Sequence, residues 1–260
     1  MCLITISYRQ NPHYPFILIA NRDEFYHRAS SAMQYWQDYP QILGGRDLEK
    51  MGSWLGLSDS GRLCALTNYR CGKNTSQKFQ TSRGDLVKNA LLSTEPYPEF
   101  MSRLAGSQDY AGYNLIGADS NGLYYTDNHS PGKTYQTLDG GIYGLCNASL
   151  NTSWPKLSCA KAQLAELSQS SDIEIDQLKD LMSDRTLAKD IDLPETGISI
   201  QWERALSAQF IQMDQYGTRA KTIILQDRSG KTQICEIRYD HQGYTGESNY
   251  ELQLPVFGSN

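Results

Sequence analysis

Cys2 is the residue whose type and position offer the most chemistry, because it directly follows Met1. If the initiator methionine is removed, Cys2 becomes the first residue and carries both a thiol and a free α-amine. A free thiol has a pKa near ~8.5 and an α-amine one near ~7.7–8, so the amine can act as the base for the thiol. The start of the chain therefore offers a nucleophile with a built-in base.

Two short apolar runs determine what lies beside this cysteine. Residues 3–8 and 16–20 are β-prone runs separated by a turn-rich patch, and the second run leads directly into Arg22 and Asp23. A strand, a turn and a returning strand bring the end of the second strand back to the start of the first. We therefore expect Arg22 and Asp23 to lie near Cys2.

A neighbouring guanidinium would favour the thiolate. Lowering the thiol pKa by two units needs about 2.7 kcal/mol of preferential stabilisation, which one close, partly buried arginine such as Arg22 can supply. Asp23 or Glu24 would then hold the ammonium or the guanidinium in place. The alternative interpretation is an ordinary buried thiol beside a turn with a surface ion pair, since cysteine is among the most buried residue types. Position alone leaves both interpretations open.

Three further polar residues belong to predicted strands. Asn68 and Asn147 each close a predicted strand, where an asparagine is commonly a turn residue or offers an N–H to a developing oxyanion. Arg219 stands in the apolar strand predicted over 216–225. A buried guanidinium needs partners such as Asp23 or a substrate carboxylate. The alternative for Arg219 is a surface charge on an edge strand.

Composition excludes several function classes. The 260 residues carry a net charge of −5, which argues against nonspecific nucleic-acid binding, a function that needs a basic face. No run approaches the ~20 apolar residues of a membrane span, and no signal-peptide pattern is seen, so we expect a soluble, cytoplasmic protein. The six cysteines form no C-x-x-C pair, which argues against a zinc site or a redox dithiol.

The order of predicted elements indicates the architecture. Strands and hairpins alternate with two pairs of helical segments, and no linker, repeat or low-complexity tract divides the chain. We interpret 25–40 as an ordered loop, 42–47 as a turn because of its Gly44-Gly45 pair, and 249–256 as a terminal strand. This order suits one α+β domain over residues 1–260, in which two stacked, mainly antiparallel sheets are flanked by helices.

From end to end, these segments resemble the NRDE family of the transport-and-Golgi-organisation type. Its namesake motif is Asn21-Arg22-Asp23-Glu24 after an initial Met1-Cys2, and Cys146 departs from an expected serine. The other matching stretches are Gly44-Gly45-Arg46-Asp47, Trp54-Leu55-Gly56, Leu66-Thr67-Asn68-Tyr69-Arg70, Ser82-Arg83-Gly84, Tyr113-Asn114-Leu115, Gly144-Leu145-Cys146-Asn147, Trp154-Pro155-Lys156 and Tyr216-Gly217-Thr218-Arg219.

That family in turn is similar to the N-terminal-nucleophile hydrolases of the choloylglycine hydrolase and penicillin V acylase group. The resemblance implies a four-layer αββα sandwich and a Cys2 nucleophile exposed by removal of Met1. It also implies roles for five further residues, namely Arg22 beside the thiolate, Asp23 orienting the α-amine, the Asn68 backbone N–H and the Asn147 side chain as the oxyanion hole, and Arg219 facing the nucleophile. Those hydrolases place two residues between their arginine and aspartate, so Glu24 is the alternative carboxylate here.

Two functions follow from the resemblance. The first is a thiol amidohydrolase that needs no cofactor and cleaves a linear C–N amide of a small molecule through an acyl-Cys2 intermediate. The second is a binding or trafficking protein without turnover, whose ligand is haem or an acyl-CoA. Cys2, His27, His129 and His241 are the candidate axial ligands for haem, and arginine and lysine side chains would contact the phosphates of coenzyme A. A plain structural adaptor is the least favoured reading.

Overall fold

The computed structural model of the protein describes residues 2–72, 79, 81–132 and 134–259. Met1, whose removal we expect, lies outside the described residues. The strands are β1 Cys2–Tyr8, β2 Phe16–Phe25, β3 Ser30–Tyr35, β4 Ile42–Asp47, β5 Leu55–Ser58, β6 Leu63–Asn68, β7 Tyr113–Asp119, β8 Gly122–Asp127, β9 Gln136–Leu138, β10 Gly141–Leu145, β11 Tyr216–Gln226, β12 Lys231–Asp240 and β13 Gly243–Gln253. The α-helices are α1 Gly84–Leu92, α2 Tyr97–Leu104, α3 Pro155–Leu167, α4 Ile175–Asp180 and α5 Ile200–Ala205, with a 3₁₀ turn at Asp190–Asp192.

One sheet carries the opening hairpin at its centre. Its strand order is β10-β1-β2-β11-β12-β13, and all neighbouring pairs are antiparallel. Alternate residues of β1 point to opposite faces. Ile4 and Ile6 enter the core between the two sheets, whereas Leu3 packs in the cluster that includes Leu157 and Leu164 of α3. Both faces of the hairpin are thus covered, which explains why the run 16–20 of β2 is apolar at every position instead of alternating with polar residues.

The second sheet faces the first and is covered by its own helices. Its order is β3-β4-β5-β6-β7-β8-β9, again antiparallel at every step. Leu86 and Leu91 of α1 and Phe100 of α2 pack on its outer side with Leu66 and Leu115. The layers therefore follow the order helix, sheet, sheet, helix, which confirms the predicted α+β sandwich.

Two local predictions were wrong. The Gly44-Gly45 pair lies within β4 and makes no turn. A Cβ at Gly45 would lie 2.4 Å from Cζ2 of Trp54, so this position requires glycine because the indole ring packs on the strand. The segment 25–40 contains β3, whose register with β4 shifts between Ser31 and Gln34. A strand with such an irregularity does not alternate apolar and polar residues regularly, so its sequence pattern does not reveal it.

Element bounds also differ near the end of the chain. The last strand, β13, begins at Gly243 and so extends well before the predicted 249–256. Within 203–213, only residues 203–205 are helical, as the end of α5. Among the described residues, no helix has both the length and the apolar character needed to cross a bilayer.

Candidate active site

The sheet register brings the opening residues together. Cys2 of β1 pairs with Arg22 of β2, and on the other side of β2 Asp23 pairs with Thr218 of β11. The predicted proximity of Arg22 and Asp23 to Cys2 is therefore confirmed. The three residues lie at one end of the sheet, and all three are buried or nearly so, with Cys2 9%, Arg22 5% and Asp23 0% exposed.

A cavity of about 760 Å³ opens at this end of the sandwich. The first sheet contributes Cys2, Arg22 and Asp23 to its wall. Residues of the second sheet and of the segment before α1 complete the lining, among them Asp47, Trp54, Leu66, Asn68, Ser82 and Arg83. The cavity is thus built from both sheets and a helix start, so its shape depends on how the sheets pack.

Arg22 is held by an aromatic ring and a carboxylate. Its guanidinium carbon lies 4.3 Å from the ring centroid of Trp54, a cation–π contact, and its Nη2 lies 3.5 Å from Oδ2 of Asp47. Its Nη1 is buried and has no hydrogen-bond partner among the described residues. Because an unsatisfied buried donor is costly, this nitrogen is available to a group that enters the site.

Asp47 connects Arg22 to the rim of the cavity. Its Oδ2 accepts a hydrogen bond of 2.5 Å from Nε of Arg28, and its Oδ1 accepts the backbone N–H groups of Glu49 and Lys50. Burial alone would raise the pKa of Asp47, but the hydrogen bonds from Arg28 and Lys50 and the arginine charges hold it below its usual range. Sequence analysis assigned no role to Asp47, although it ends the Gly-Gly-Arg-Asp stretch.

Asp23 is the more deeply placed of the two candidate carboxylates. Its Oδ1 accepts from the Thr218 hydroxyl at 2.7 Å, and its carbonyl accepts from the Tyr216 hydroxyl at 3.0 Å. Burial raises its pKa, and the Lys156 ammonium is the strongest opposing influence. Glu24 is only half-buried, and its Oε2 lies 3.9 Å from Nε of Arg28. Asp23 thus occupies the inner wall and Glu24 the rim.

Lys156 is a charged residue of this region that sequence analysis did not single out. It is only 5% exposed and lies in the first turn of α3. Burial lowers its pKa, and the negative charge of Asp23 opposes that shift. The signal available in the sequence was the Trp154-Pro155-Lys156 stretch, which indicated a helix start but not a buried cation.

Burial dominates the thiol itself. It raises the pKa of Cys2, and the carboxylate of Asp23 acts in the same direction, whereas the positive charge of Arg22 lowers the pKa by less than burial raises it. Arg22 therefore acts on the thiol in the predicted direction, but burial outweighs its charge. The physical reason is that a sulfur enclosed by protein loses more solvation on ionising than one guanidinium returns.

Asn68 presents its backbone N–H on the side that faces the cavity. The N–H of Tyr69 bonds to Gly112 beside β7, whereas the N–H of Leu66 bonds to the carbonyl of Trp54 on the opposite side. Because donors alternate along an antiparallel strand, the N–H of Asn68 points to the same side as that of Leu66. Strand β5 begins only at Leu55, which pairs with Ala65, so no residue of β5 pairs with Asn68.

Asn147 contacts Asn68 directly. Its Nδ2 donates to the Asn68 carbonyl at 2.8 Å, and its own carbonyl accepts from the Arg70 N–H at 2.8 Å. The side chain is fully buried, and its Oδ1 has no hydrogen-bond partner in the described part of the chain. An amide nitrogen carries two N–H groups, so Nδ2 retains one donor beyond the bond to Asn68.

Arg219 does not face the nucleophile, so that expectation was wrong. A bulge between Thr218 and Ala220 shifts the register of β11 against β2, and Arg219 is the extra residue. Its Nη1 donates to the carbonyls of Phe25, Tyr26 and Arg28. It lines a separate cavity of about 310 Å³ that shares Trp54 with the cavity of Cys2. The bulge re-aims the side chain, an effect that alternation along a strand does not foresee.

None of the three histidines considered as haem ligands is among the described residues that line the Cys2 cavity. His129 stacks on Tyr69 with ring centroids 3.6 Å apart, His27 packs against Phe25, and His241 against Tyr26. Within the described residues, no group of three or more His, Cys, Asp or Glu side chains is arranged to hold a metal ion.

A solved structure shares the layer order of this chain. A solved structure described as a Caenorhabditis elegans N-acylethanolamine-hydrolyzing acid amidase ortholog superposes with a TM-score of 0.50 at 13% sequence identity, covering 68% of this chain and 84% of that one. At this identity the likeness establishes the fold alone. The fold is that of the N-terminal-nucleophile hydrolases, as the resemblance implied.

The family is set by sequence. The sequence model described as Transport and Golgi organisation 2 matches residues 1–241. The mouse Transport and Golgi organization 2 homolog is 33% identical over 262 residues, covering 91% of this chain and 92% of the relative. The human homolog is 32% identical with the same coverage. The chain therefore belongs to the Transport and Golgi organisation 2 family, which confirms the resemblance to the NRDE proteins.

Proposed function

We propose that the protein is a thiol-dependent amidohydrolase that cleaves a linear C–N amide of a small molecule through an acyl-Cys2 intermediate. The observation that carries the proposal is the juxtaposition of Cys2, Arg22 and Asp23 in the wall of a cavity that Asn68 also lines. Acyl transfer by a thiol needs a nucleophile, a base and donors for the developing oxyanion. This end of the sandwich contains a candidate for each.

The proposed reaction starts from a chain that has lost Met1. The α-amine of Cys2 takes the thiol proton, and the sulfur attacks the amide carbon to give a tetrahedral adduct. The ammonium returns the proton to the leaving nitrogen, the C–N bond breaks, and the acyl group stays on sulfur as a thioester. Water, deprotonated by the same amine, then releases the acid and restores the thiol.

Each neighbouring residue has a role in this scheme. Asp23 orients and stabilises the ammonium form of the α-amine. Arg22, fixed by Trp54 and Asp47, stabilises the sulfur as it becomes negative. The Asn68 N–H and the remaining Nδ2 donor of Asn147 bind the oxyanion, where loss of one donor typically costs about 2.7–4 kcal/mol of transition-state stabilisation.

The neutral thiol is compatible with this scheme. A thiol with a raised pKa is a poor nucleophile by itself, so turnover depends on a base within reach and not on a standing thiolate. The α-amine of a processed Cys2 is part of the same residue and therefore meets that requirement. The proposal consequently predicts that activity depends on removal of Met1.

The test is turnover of a panel of N-acyl amides by the wild-type protein and matched cysteine variants. We expect Cys2→Ala to abolish amine release and Cys2→Ser to reduce it strongly. Cys159→Ala is the control, because Cys159 is an exposed free cysteine on the outer helix α3. Amine release that persists unchanged in Cys2→Ala would overturn the proposal.

A second candidate function is ligand handling without turnover, with haem or an acyl-CoA in the same cavity. The observation that favours it is the size of the cavity, about 760 Å³, together with Lys50 and Arg83 in its lining, whose charges would contact the phosphates of coenzyme A. A haem titration followed by absorbance checks the first ligand, and calorimetry with an acyl-CoA checks the second. This candidate predicts micromolar binding with no turnover, and the absence of both signals would remove it.

A further inference from the structure

The charged groups around the Cys2 cavity are mostly neutralised by one another. Asp47 is paired with Arg28 and Arg22, and Oε2 of Glu24 and Oε2 of Glu49 lie 3.9 and 4.0 Å from the Arg28 guanidinium. The carboxylate of Asp85, at the start of α1, accepts from the Lys88 ammonium at 2.8 Å. Lys50 also lines the cavity and forms no ion pair among the described residues, but it is exposed, so its charge stays hydrated.

Arg83 is different. It lines the same cavity and is half-buried, yet within the described chain it forms no ion pair with a carboxylate. Its Nη1 donates to the Gly112 carbonyl at 3.0 Å, which fixes the plane of the guanidinium and leaves its other N–H groups for a partner. Burial lowers its pKa, and the carboxylate of Glu24 opposes that shift.

The backbone around Arg83 is rigidly seated. Arg83 is the residue from which α1 begins, and Gly84 packs directly on Gly52 in the loop before β5. A Cβ at Gly52 would lie 2.5 Å from the Gly84 carbonyl carbon, and the Ser53 N–H bonds to the Gly84 oxygen. The guanidinium is therefore held in place on a helix start instead of swinging on a loop.

We propose that Arg83 is a specificity-determining residue and that the ligand of the Cys2 cavity carries an anionic oxygen group, a carboxylate or a phosphate, that binds this guanidinium. The inference rests on the proposed function where it calls the ligand a substrate. Binding of the anion itself does not require turnover. A partly buried guanidinium that forms no ion pair gains from a bound anion, and its planar shape matches the two oxygens of a carboxylate or phosphate. The substrate class is thus an anionic N-acyl amide.

Alkylation of Cys2 tests the anion site without any substrate. Iodoacetate carries a carboxylate, and iodoacetamide is its neutral counterpart, so the ratio of their rates at Cys2 reports the local preference for an anion. Peptide mass spectrometry separates Cys2 from the exposed Cys159, which serves as the internal reference. We expect Arg83→Met to lower the ratio at Cys2 about five-fold, from the loss of one unit charge at close range.

Matched variants isolate the effect of position from that of net charge. Arg103→Met removes the same charge from an exposed site on α2, where the guanidinium pairs with Glu95, and should leave the ratio unchanged. Arg83→Lys keeps the charge and should retain most of the wild-type rate ratio at Cys2. Arg83→Gln replaces Arg83→Met if the latter does not fold. A ratio at Cys2 that is the same in the wild-type protein and in both neutral variants would overturn the inference.

Turnover separates this inference from the proposed function. With N-acylglycine, N-acylglycinamide and N-acylaminomethylphosphonate of one acyl chain, we expect the wild-type protein to prefer an anionic compound, and the phosphonate arm to distinguish phosphate from carboxylate. Arg83→Met should raise KM for the preferred anion about ten-fold and leave the glycinamide unchanged. Equal turnover of all three compounds would overturn the Arg83 inference and leave the hydrolase standing. No turnover together with a shifted alkylation ratio would do the reverse.

Discussion

Replacing Gly45 by alanine tests how the arginine beside Cys2 is positioned. The added Cβ would lie 2.4 Å from Cζ2 and 2.5 Å from Cη2 of Trp54, whereas carbon atoms pack at about 3.5–4.0 Å. The indole ring must therefore move by roughly 1 Å, and Arg22 stacks on that ring with its guanidinium carbon 4.3 Å from the centroid. The new Cβ would also lie 3.0 Å from Oε2 of Glu236, but its two shortest contacts are with the indole, so we expect it to act on Cys2 mainly through Trp54 and Arg22.

The expected cost is that of an overpacked core, about 1–3 kcal/mol. In a chain of this size each kcal/mol lowers the thermal midpoint by about 2–4 °C. Thermal and urea unfolding measure the loss, and the rate of Cys2 alkylation by iodoacetamide reports the displacement of Arg22. Gly140→Ala is the control, because its Cβ would meet nothing nearer than 3.4 Å.

The double variant Gly45→Ala with Trp54→Phe assigns the effect to the indole. Phenylalanine lacks the part of the ring that the new methyl group meets, so the double variant should recover part of the stability lost in Gly45→Ala. Neighbouring substitutions of this kind are expected to be non-additive. Unfolding of Gly45→Ala that matches the wild-type protein, or costs that simply add in the double variant, would refute the packing argument.

Three further predictions concern the groups around the thiol. Asp47→Asn should lower stability by about 1–3 kcal/mol, since it weakens the bonds from Arg28 and Arg22; because the folded pKa of Asp47 is depressed, the difference from the wild-type protein in urea titrations should shrink as the pH falls through that folded pKa. The alkylation rate of Cys2 should still rise about ten-fold per pH unit above pH ~8.5, where an unperturbed thiol begins to level off, and a plateau at neutral pH would contradict the burial argument. Asn147→Ala should reduce turnover by about 10²–10³-fold. It should also destabilise the fold by about 1–3 kcal/mol, since the Asn68 carbonyl loses its donor, and kinetics and unfolding together check both effects.

The opening hairpin could be predicted because its signal is local. Two apolar runs joined by a turn fix which residues meet, and the register of Cys2 with Arg22 follows from the return of the second strand. The layer order was likewise predictable from the alternation of strand and helix segments. In each case neighbours in sequence are neighbours in space.

The errors have a common physical cause, which is contact between residues distant in sequence. Gly45 reads as a turn residue, but it is a glycine because the Trp54 ring packs against it. Arg219 reads as facing Cys2, but a bulge that depends on pairing with β2 re-aims it. The charge state of Cys2 depends on burial by the whole sandwich, and that burial is set by packing that no short motif encodes.

Asp47 and Lys156 show the same limit for the site. Each belongs to a short stretch that could be recognised in the sequence, yet neither was assigned a role. Their importance comes from contacts across the sandwich, since Asp47 meets Arg22 on the other sheet and the Lys156 charge acts on Asp23. Recognising a motif therefore located these residues without indicating what they touch.

The central claim is that a processed Cys2 carries an acyl group during amide cleavage. Mass spectrometry of the purified protein, quenched with acid during turnover of an N-acyl amide, tests it most directly. We predict an N-terminal peptide that begins at Cys2, without Met1, and that gains the mass of the acyl group as a thioester removable by hydroxylamine. A protein that cleaves the amide while every molecule retains Met1, or while Cys2 stays unmodified and dispensable, would contradict the claim.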